Sequence, residues 1–318
     1  MGRKLLYSFI TAFALGFQGY LLTCAARNRS LSSSNSGDTP LAPRVVRNKP
    51  SHSVRGASRA MLESTDYIYG GEHWDSAPIV LEDFKLVFFT TPKVGCTTWK
   101  QLFRRMMGYS NWRAENTGNM LPWNPKTNGL KYLYHYNLTY ASEIMSSPEW
   151  TRAIFVRDPK ERFLSAYLDK AVKNRDYLAR KCCQWKKECI QSAKASLEGF
   201  FELAQECPDP HWAPQHNRVD EKFWPAINFV GHMETMAEDA EKLLLQVGAW
   251  EYGQSGWGKD GKQAIFRAEG GESGRKHATN AKENMQAYFT PRLEAKVDLY
   301  YGKDYRNAVL DRQKVTIF

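Results

Sequence analysis

Lys93, Thr97 and Thr98 gather around one glycine in the run Pro92-Lys93-Val94-Gly95-Cys96-Thr97-Thr98-Trp99-Lys100. A cation, two hydroxyls and a residue that permits a sharp turn are what a loop needs to hold a phosphate-like anion. Further along, Arg157 and Ser165 occur in RAIFVRDPKERFLSAYLDK. An arginine fork beside a hydroxyl grips a terminal phosphate. His135 in YLYHYNL and His211 in DPHWAPQ are candidates for moving a proton, because imidazole titrates near neutral pH. Together these residue types point to a phosphate-like ligand with a base at hand.

The elements that must position them are legible on either side. Residues 86–89, LVFF, form a short apolar run that predicts a strand covered on both faces. Pro92 to Gly95 break it, and Trp99, Leu102, Phe103 and Met106 then recur at helical spacing. A loop entering a helix presents free backbone N–H groups and the positive end of the helix dipole. The Walker pattern G-x-x-x-x-G-K-[ST] is absent, since Lys93 precedes the glycine.

A second strand–helix unit follows. Residues 153–156 predict a buried strand, Asp158 a helix N-cap, Pro159 the first helical position, and Glu161 a capping-box partner. Leu164, Leu168 and Val172 mark the helix's apolar face. Arg157 then stands at the C-terminal end of a strand, where open α/β sheets bind ligands. Residues 197–204 predict a helix, 227–231 a third parallel strand and 237–247 an amphipathic helix. Residues 288–305 predict one closing helix with Leu293, Val297 and Tyr300 on a shared face. The fold class is α/β, a single domain over residues 61–318 with a central parallel sheet flanked by helices.

Composition bounds the function. The 318 residues are 42% hydrophobic, enough for a sizeable core. They carry a net charge of +10, which favours anionic ligands. The basic residues are scattered and no nucleic-acid motif is present, which argues against a nucleic-acid partner. Cys182, Cys183, Cys189 and Cys207 allow three two-bridge pairings, and zinc is disfavoured by the missing C-x-x-C spacing. Residues 5–24 are apolar and follow Arg3 and Lys4, so residues 1–27 read as a cytoplasmic tip and transmembrane signal-anchor. A cleaved signal peptide is the alternative. Residues 28–60 read as a disordered stem, and Asn28 and Asn137 head glycosylation sequons.

Residues 92–100 resemble the 5′-phosphosulfate loop of the Golgi carbohydrate sulfotransferases, although Thr98 stands where many relatives carry asparagine. Residues 152–170 resemble that family's 3′-phosphate motif, and Arg157 and Ser165 match its two phosphate-contacting positions. His211-Trp212-Ala213-Pro214-Gln215 resembles the family's His-Trp-x-Pro-Gln stretch, on the acceptor side. The resemblance implies a sulfotransferase fold, like nucleotide kinases in outline. It implies 3′-phosphoadenosine 5′-phosphosulfate as donor, held by Lys93, Val94, Gly95, Cys96, Thr97, Thr98 and Trp99 with Arg157 and Ser165. Arg275, in a basic run after a glycine-rich loop, would close over the nucleotide. Lys93 would stabilise the leaving phosphate and no metal would be required. The related uronyl and heparan 2-O-sulfotransferases favour His135 as base, with His211 second. The acceptor would be a glycan hydroxyl, and the chain a single-pass type II Golgi membrane protein with a lumenal catalytic domain. A nucleotide-dependent phosphotransferase and an inactive glycan-binding relative are the rival readings.

Overall fold

The computed structural model describes residues 77–115, 118, 120–219, 221–267, 279–307 and 310. The expected anchor and stem, the sequon at Asn28 and the basic run at Arg275 lie outside the described residues. Among the described residues no helix is long and apolar enough to cross a membrane.

Four strands form one sheet in the order β1 (Ile79–Leu81), β2 (Leu86–Phe89), β3 (Thr151–Val156) and β4 (Phe229–His232). β2, β3 and β4 run parallel, as the apolar runs predict, but β1 is antiparallel to β2. The sheet is therefore mixed, which corrects the expectation of a parallel one. The cause is local. Lys85 adopts φ +48° after the short turn Glu82–Phe84. That turn folds β1 back on β2 as an edge strand, a connection only antiparallel neighbours can make so tightly.

Alternation along the strands builds two cores. Phe88 and Phe155 pack on one face with Trp99, Leu102 and Phe103 of α1 (Cys96–Met106). Leu243 and Leu244 of α7 (Met236–Gln246) join them, and the short α8 (Trp250–Gly253) follows. Val87, Phe89, Ile154 and Val156 pack on the other face with Ile144 and Met145 of α2 (Leu138–Ser146) and with Phe223 and Trp224. A third cluster gathers Phe163, Leu164 and Tyr167 of α3 (Pro159–Tyr167) with Phe200, Trp212 and Tyr301.

Two helical expectations change. α3 runs into a π-helical turn, Leu168–Lys173. Its wider winding rotates the face, so Leu168 is buried while Val172 is exposed. The predicted closing helix, residues 288–305, is two pieces, α10 (Pro291–Tyr300) and α11 (Gly302–Arg306), and a further helix, α9 (Ala281–Tyr288), precedes it. Thr290 caps α10 and Pro291 takes its first turn, where a missing N–H costs nothing. Leu293 and Val297 are buried as predicted. The Cys-rich stretch folds as α4 (Arg175–Lys181), α5 (Lys187–Ala195) and α6 (Leu197–Glu206). The disulfides are Cys182–Cys207 and Cys183–Cys189, which occupy the thiolates a zinc site would need.

Arg162 on α3 is fully buried. Its Nε donates to the Pro92 carbonyl at 3.0 Å, Nη1 to Ala213 at 2.8 Å and Nη2 to Pro210 at 2.7 Å. Removing it strands one buried and two partly buried carbonyls. Arg162→Ala is expected to lose about 3 kcal/mol or more of stability, read by chemical denaturation of the full-length chain.

Candidate functional site

The loop after β2 carries the first candidates. Lys93 has φ +72° and Gly95 φ +68°, so the chain turns sharply at both. A Cβ at Gly95 would sit 3.2 Å from the Phe266 ring. It would also demand a left-handed backbone, which explains the glycine. α1 then starts with no side-chain cap and no acid in its first turn. Its leading N–H groups and positive dipole end are thus turned to whatever enters from the loop side. Thr97 Oγ1 accepts from Trp123 Nε1 at 3.0 Å, and Thr98 is buried. Val94 and Trp99 are buried too. Trp99 packs against Phe88, Phe103, Phe155 and Phe266, so its side chain anchors the loop.

Lys93 Nζ donates to Asp169 Oδ2 at 2.9 Å, with its side chain 7% exposed. Burial pushes its pKa below the ordinary lysine value, and Asp169 pulls in the other direction without cancelling that shift. Asp169 lies on the π-helical turn and also contacts Lys170 at 3.3 Å. The loop lysine therefore rests against a carboxylate, the kind of charge an incoming phosphate would replace.

Arg157 follows the last residue of β3, beside that loop. Its Nη1 lies 3.5 Å from the Lys93 carbonyl. Its Nε is buried with no hydrogen bond, and Glu161 Oε2 is 3.5 Å away as an ion-pair partner only. Gln215 fixes the Arg157 backbone twice, accepting from its N–H at 3.0 Å and donating to its carbonyl at 2.8 Å. Asp158 accepts from the Glu161 N–H at 2.9 Å. The expected return bond of the capping box is replaced, because Glu161 turns to Arg157 and Glu234 accepts from the Asp158 N–H. Ser165 is buried in α3, where its hydroxyl accepts from Thr279 at 3.0 Å. Thr279 follows closely on Arg275 in the sequence. A guanidinium whose Nε has only a 3.5 Å ion-pair contact with Glu161, an uncapped helix start and a buried lysine together fit a ligand with two separated anionic groups.

The two histidines differ. Residues 131–133 pair with β1, through Val80 N–H to the Lys131 carbonyl and Leu133 N–H to the Pro78 carbonyl. They run parallel to β2, so His135 emerges at the same end of the sheet as Lys93. Its Nδ1 accepts from the Tyr132 N–H at 3.2 Å. That bond leaves the proton of the neutral ring on Nε2. Burial and the Lys131 charge lower its pKa. His211 shows the opposite tautomer. Its Nδ1 lies 2.6 Å from Asp209 Oδ1. A carboxylate only accepts, so Nδ1 bears the proton and Nε2 is the basic nitrogen. Burial raises the Asp209 carboxyl, but hydrogen bonds from His211 and Tyr177 outweigh it and hold it at about 2. Arg162 ties this loop to the Lys93 loop through Pro210 and Pro92.

Four positioning residues were not read from the sequence: Asp169, Asp209, Gln215 and Arg162. The D-x-H spacing of Asp209 and His211 was a usable signal. Nothing local marks Asp169 or Arg162, because their partners are far along the chain.

The profile of the Sulfotransferase family matches residues 77–307. Carbohydrate sulfotransferase 9 of Homo sapiens is 25% identical over 229 residues, covering 63% of this chain and 49% of that protein. Carbohydrate sulfotransferase 11 of Rattus norvegicus is 27% identical over 196 residues, covering 55% and 53%. Carbohydrate sulfotransferase 14 of Mus musculus is 26% identical over 234 residues, covering 68% and 58%. The chain spans about half the length of these relatives. No solved structure gives a significant match. The matched span contains β1 to β4, the Lys93 loop, Arg157, Ser165 and both histidines, and on it the chain belongs to the sulfotransferase family.

Proposed function

We propose that the chain transfers a sulfuryl group from 3′-phosphoadenosine 5′-phosphosulfate to a glycan hydroxyl, as a carbohydrate sulfotransferase of the Golgi lumen. The observation that carries this reading is the pairing of two anion grips at one end of the parallel strands, Lys93 with the α1 N-terminus and Arg157 with Ser165. A kinase reading needs a Walker lysine and finds none.

The donor supplies an electrophilic sulfur whose bond to the 5′-phosphate breaks as the acceptor oxygen bonds to it. The residues of this chain do the rest. Lys93 and the N–H groups of residues 95–98 take up the charge left on the departing phosphate. Arg157, held by its 3.5 Å ion pair with Glu161, and Ser165 hold the 3′-phosphate. Arg275 is a further candidate for covering the nucleotide. Asp169 holds Lys93 in place before the donor arrives. The acceptor's proton goes to a histidine. His211 is the better suited, because its Nδ1 contact with Asp209 fixes the tautomer in which Nε2 carries the basic lone pair. His135 is the second candidate, and its tautomer makes Nε2 a donor while Tyr132 holds Nδ1. The charges of Lys93, Arg157 and the helix end meet the donor's phosphates without a metal. The anchor at residues 1–27, the stem at 28–60 and the catalytic domain at 61–318 complete the proposal.

The decisive test is ligand-induced thermal stabilisation of the full-length chain. Adenosine 3′,5′-bisphosphate is expected to raise the Tm, and ATP with magnesium to leave it unchanged; stabilisation by ATP alone would sink the proposal. Lys93→Ala should then reduce kcat by about a hundredfold or more. His211→Ala should cost kcat roughly as much, with His135→Ala costing less; the reverse order would make His135 the base.

The pH dependence follows from the lowered pKa of Lys93. Its charged form binds phosphate, so bisphosphate affinity is full on the acid side of that pKa. Affinity falls as the pH rises through it, earlier than an ordinary lysine would allow. In Lys93→Arg, whose guanidinium stays charged beyond about pH 12, calorimetry from neutral to alkaline pH should show no such fall.

A further inference from the structure

Trp185 is 62% exposed, the most exposed of the tryptophans among the described residues. It sits where the sequence doubles back between α4 and α5, inside the short ring closed by Cys183–Cys189. Cys182–Cys207 fastens the same turn to the end of α6. Gln184 has φ +49° and Trp185 φ +65°, so two consecutive residues with side chains occupy the left-handed region. A bulky residue there is costly and persists only where the surroundings impose it. The turn is imposed by hydrogen bonds from Cys183 N–H to Leu178, Trp185 N–H to Ala179 and Lys186 N–H to Cys183. A strained, doubly stapled turn thus holds an indole out in solvent, where apolar burial gives no reason for it.

Its neighbours are cationic. Arg180, Lys181, Lys186 and Lys187 are all exposed, and none makes a salt bridge among the described residues. Glu188 is the one acid within the ring. α4 leads from this turn directly to the transfer site, since Tyr177 donates to Asp209 at 2.7 Å and lies under Lys170 at 4.7 Å. The Trp185 N–H reaches back to the Ala179 carbonyl, two residues from Tyr177 on the same helix.

We infer that the Trp185 turn is a surface subsite for an anionic polysaccharide. The indole would stack on the apolar C–H face of a sugar ring while the four cations meet carboxylates or sulfates along the chain. A protein partner would want a larger apolar patch around the tryptophan, and here its flanks are charged. A membrane would take a basic turn with an indole as well, so vesicles belong in the test. The subsite rests on the glycan-acceptor reading above and narrows it to acceptors that carry charge and extend beyond one sugar.

The test is direct binding of the full-length chain to immobilised hyaluronan and heparin, with dextran as a neutral polysaccharide and phosphatidylserine vesicles as the non-sugar polyanion. Trp185→Ala, and separately the double change Lys186→Glu with Lys187→Glu, should each weaken binding to the anionic polysaccharides by about tenfold. Trp185→Phe should retain most of it. The bisphosphate-induced rise in Tm should be the same in all variants, which shows that the fold and donor site survive. Unchanged polysaccharide affinity in both disruptive variants would overturn the inference, as would equal binding to dextran or stronger binding to the vesicles. Because binding is read without turnover, its loss in Trp185→Ala would support the subsite even in a chain that transferred no sulfuryl group.

Discussion

Arg162 brings a charge into the protein interior with no carboxylate in direct contact among the described residues, and three main-chain carbonyls answer it. Those carbonyls belong to two loops that are distant in sequence, the one holding Lys93 and the one holding His211. Desolvating a guanidinium costs several kcal/mol, and hydrogen bonds from a charged donor are the strong ones. The arrangement is therefore stable only if both loops keep their shape. A second buried arginine, Arg218, repeats the device by donating to the Thr90 carbonyl at the end of β2. The loop with the left-handed Lys93 is thus gripped from two sides by cations it never displays.

The parallel strands then determine where charge can be used. β2 and β3 end side by side, with Phe89 opposite Ile154, so the residues that follow them share one edge. Lys93 and Arg157 both come from that edge, and the N-terminus of α1 opens there. The antiparallel β1 adds a further position, because the strand-like residues 131–133 run back parallel to β2 and deliver His135 to the same end. One sheet edge thereby gathers cations, N–H groups and an imidazole from three separate stretches of sequence.

What the sequence disclosed was whatever a residue's own neighbourhood decides. The strand 86–89, the break at Gly95, the helical spacing from Trp99 and the cap at Asp158 are all local, and the structure keeps them. The direction of β1 was not legible, since it depends on a turn at Lys85 with no glycine to announce it. Nor was the exposure of Val172, because the π-helical turn that rotates it has no spacing signature. Lys93 was readable as a candidate phosphate ligand, but its resting partner Asp169 was not, because their contact spans 76 positions. The disulfide pairing was open among three choices for the same reason, and packing selects one.

The histidines show how far a hydrogen bond can separate residues of equal chemistry. His135 lies past the strand-like residues at the Lys93 end of the sheet, and the His211 loop is tied to the Lys93 loop by Arg162. In His135 a backbone N–H takes the Nδ1 lone pair, so the neutral ring turns a proton outward, suited to donating. In His211 an ionised carboxylate accepts a hydrogen bond from Nδ1–H, so the basic lone pair is on Nε2. Tyr177 adds to the second case by donating to the other oxygen of Asp209, which keeps the carboxylate from rotating away. Sulfuryl transfer to a hydroxyl needs an acceptor of protons in the attacking step. In the proposed reaction it is the tautomer imposed by the partner, more than the presence of imidazole, that favours the His211 loop, the loop that Arg162 ties to Lys93.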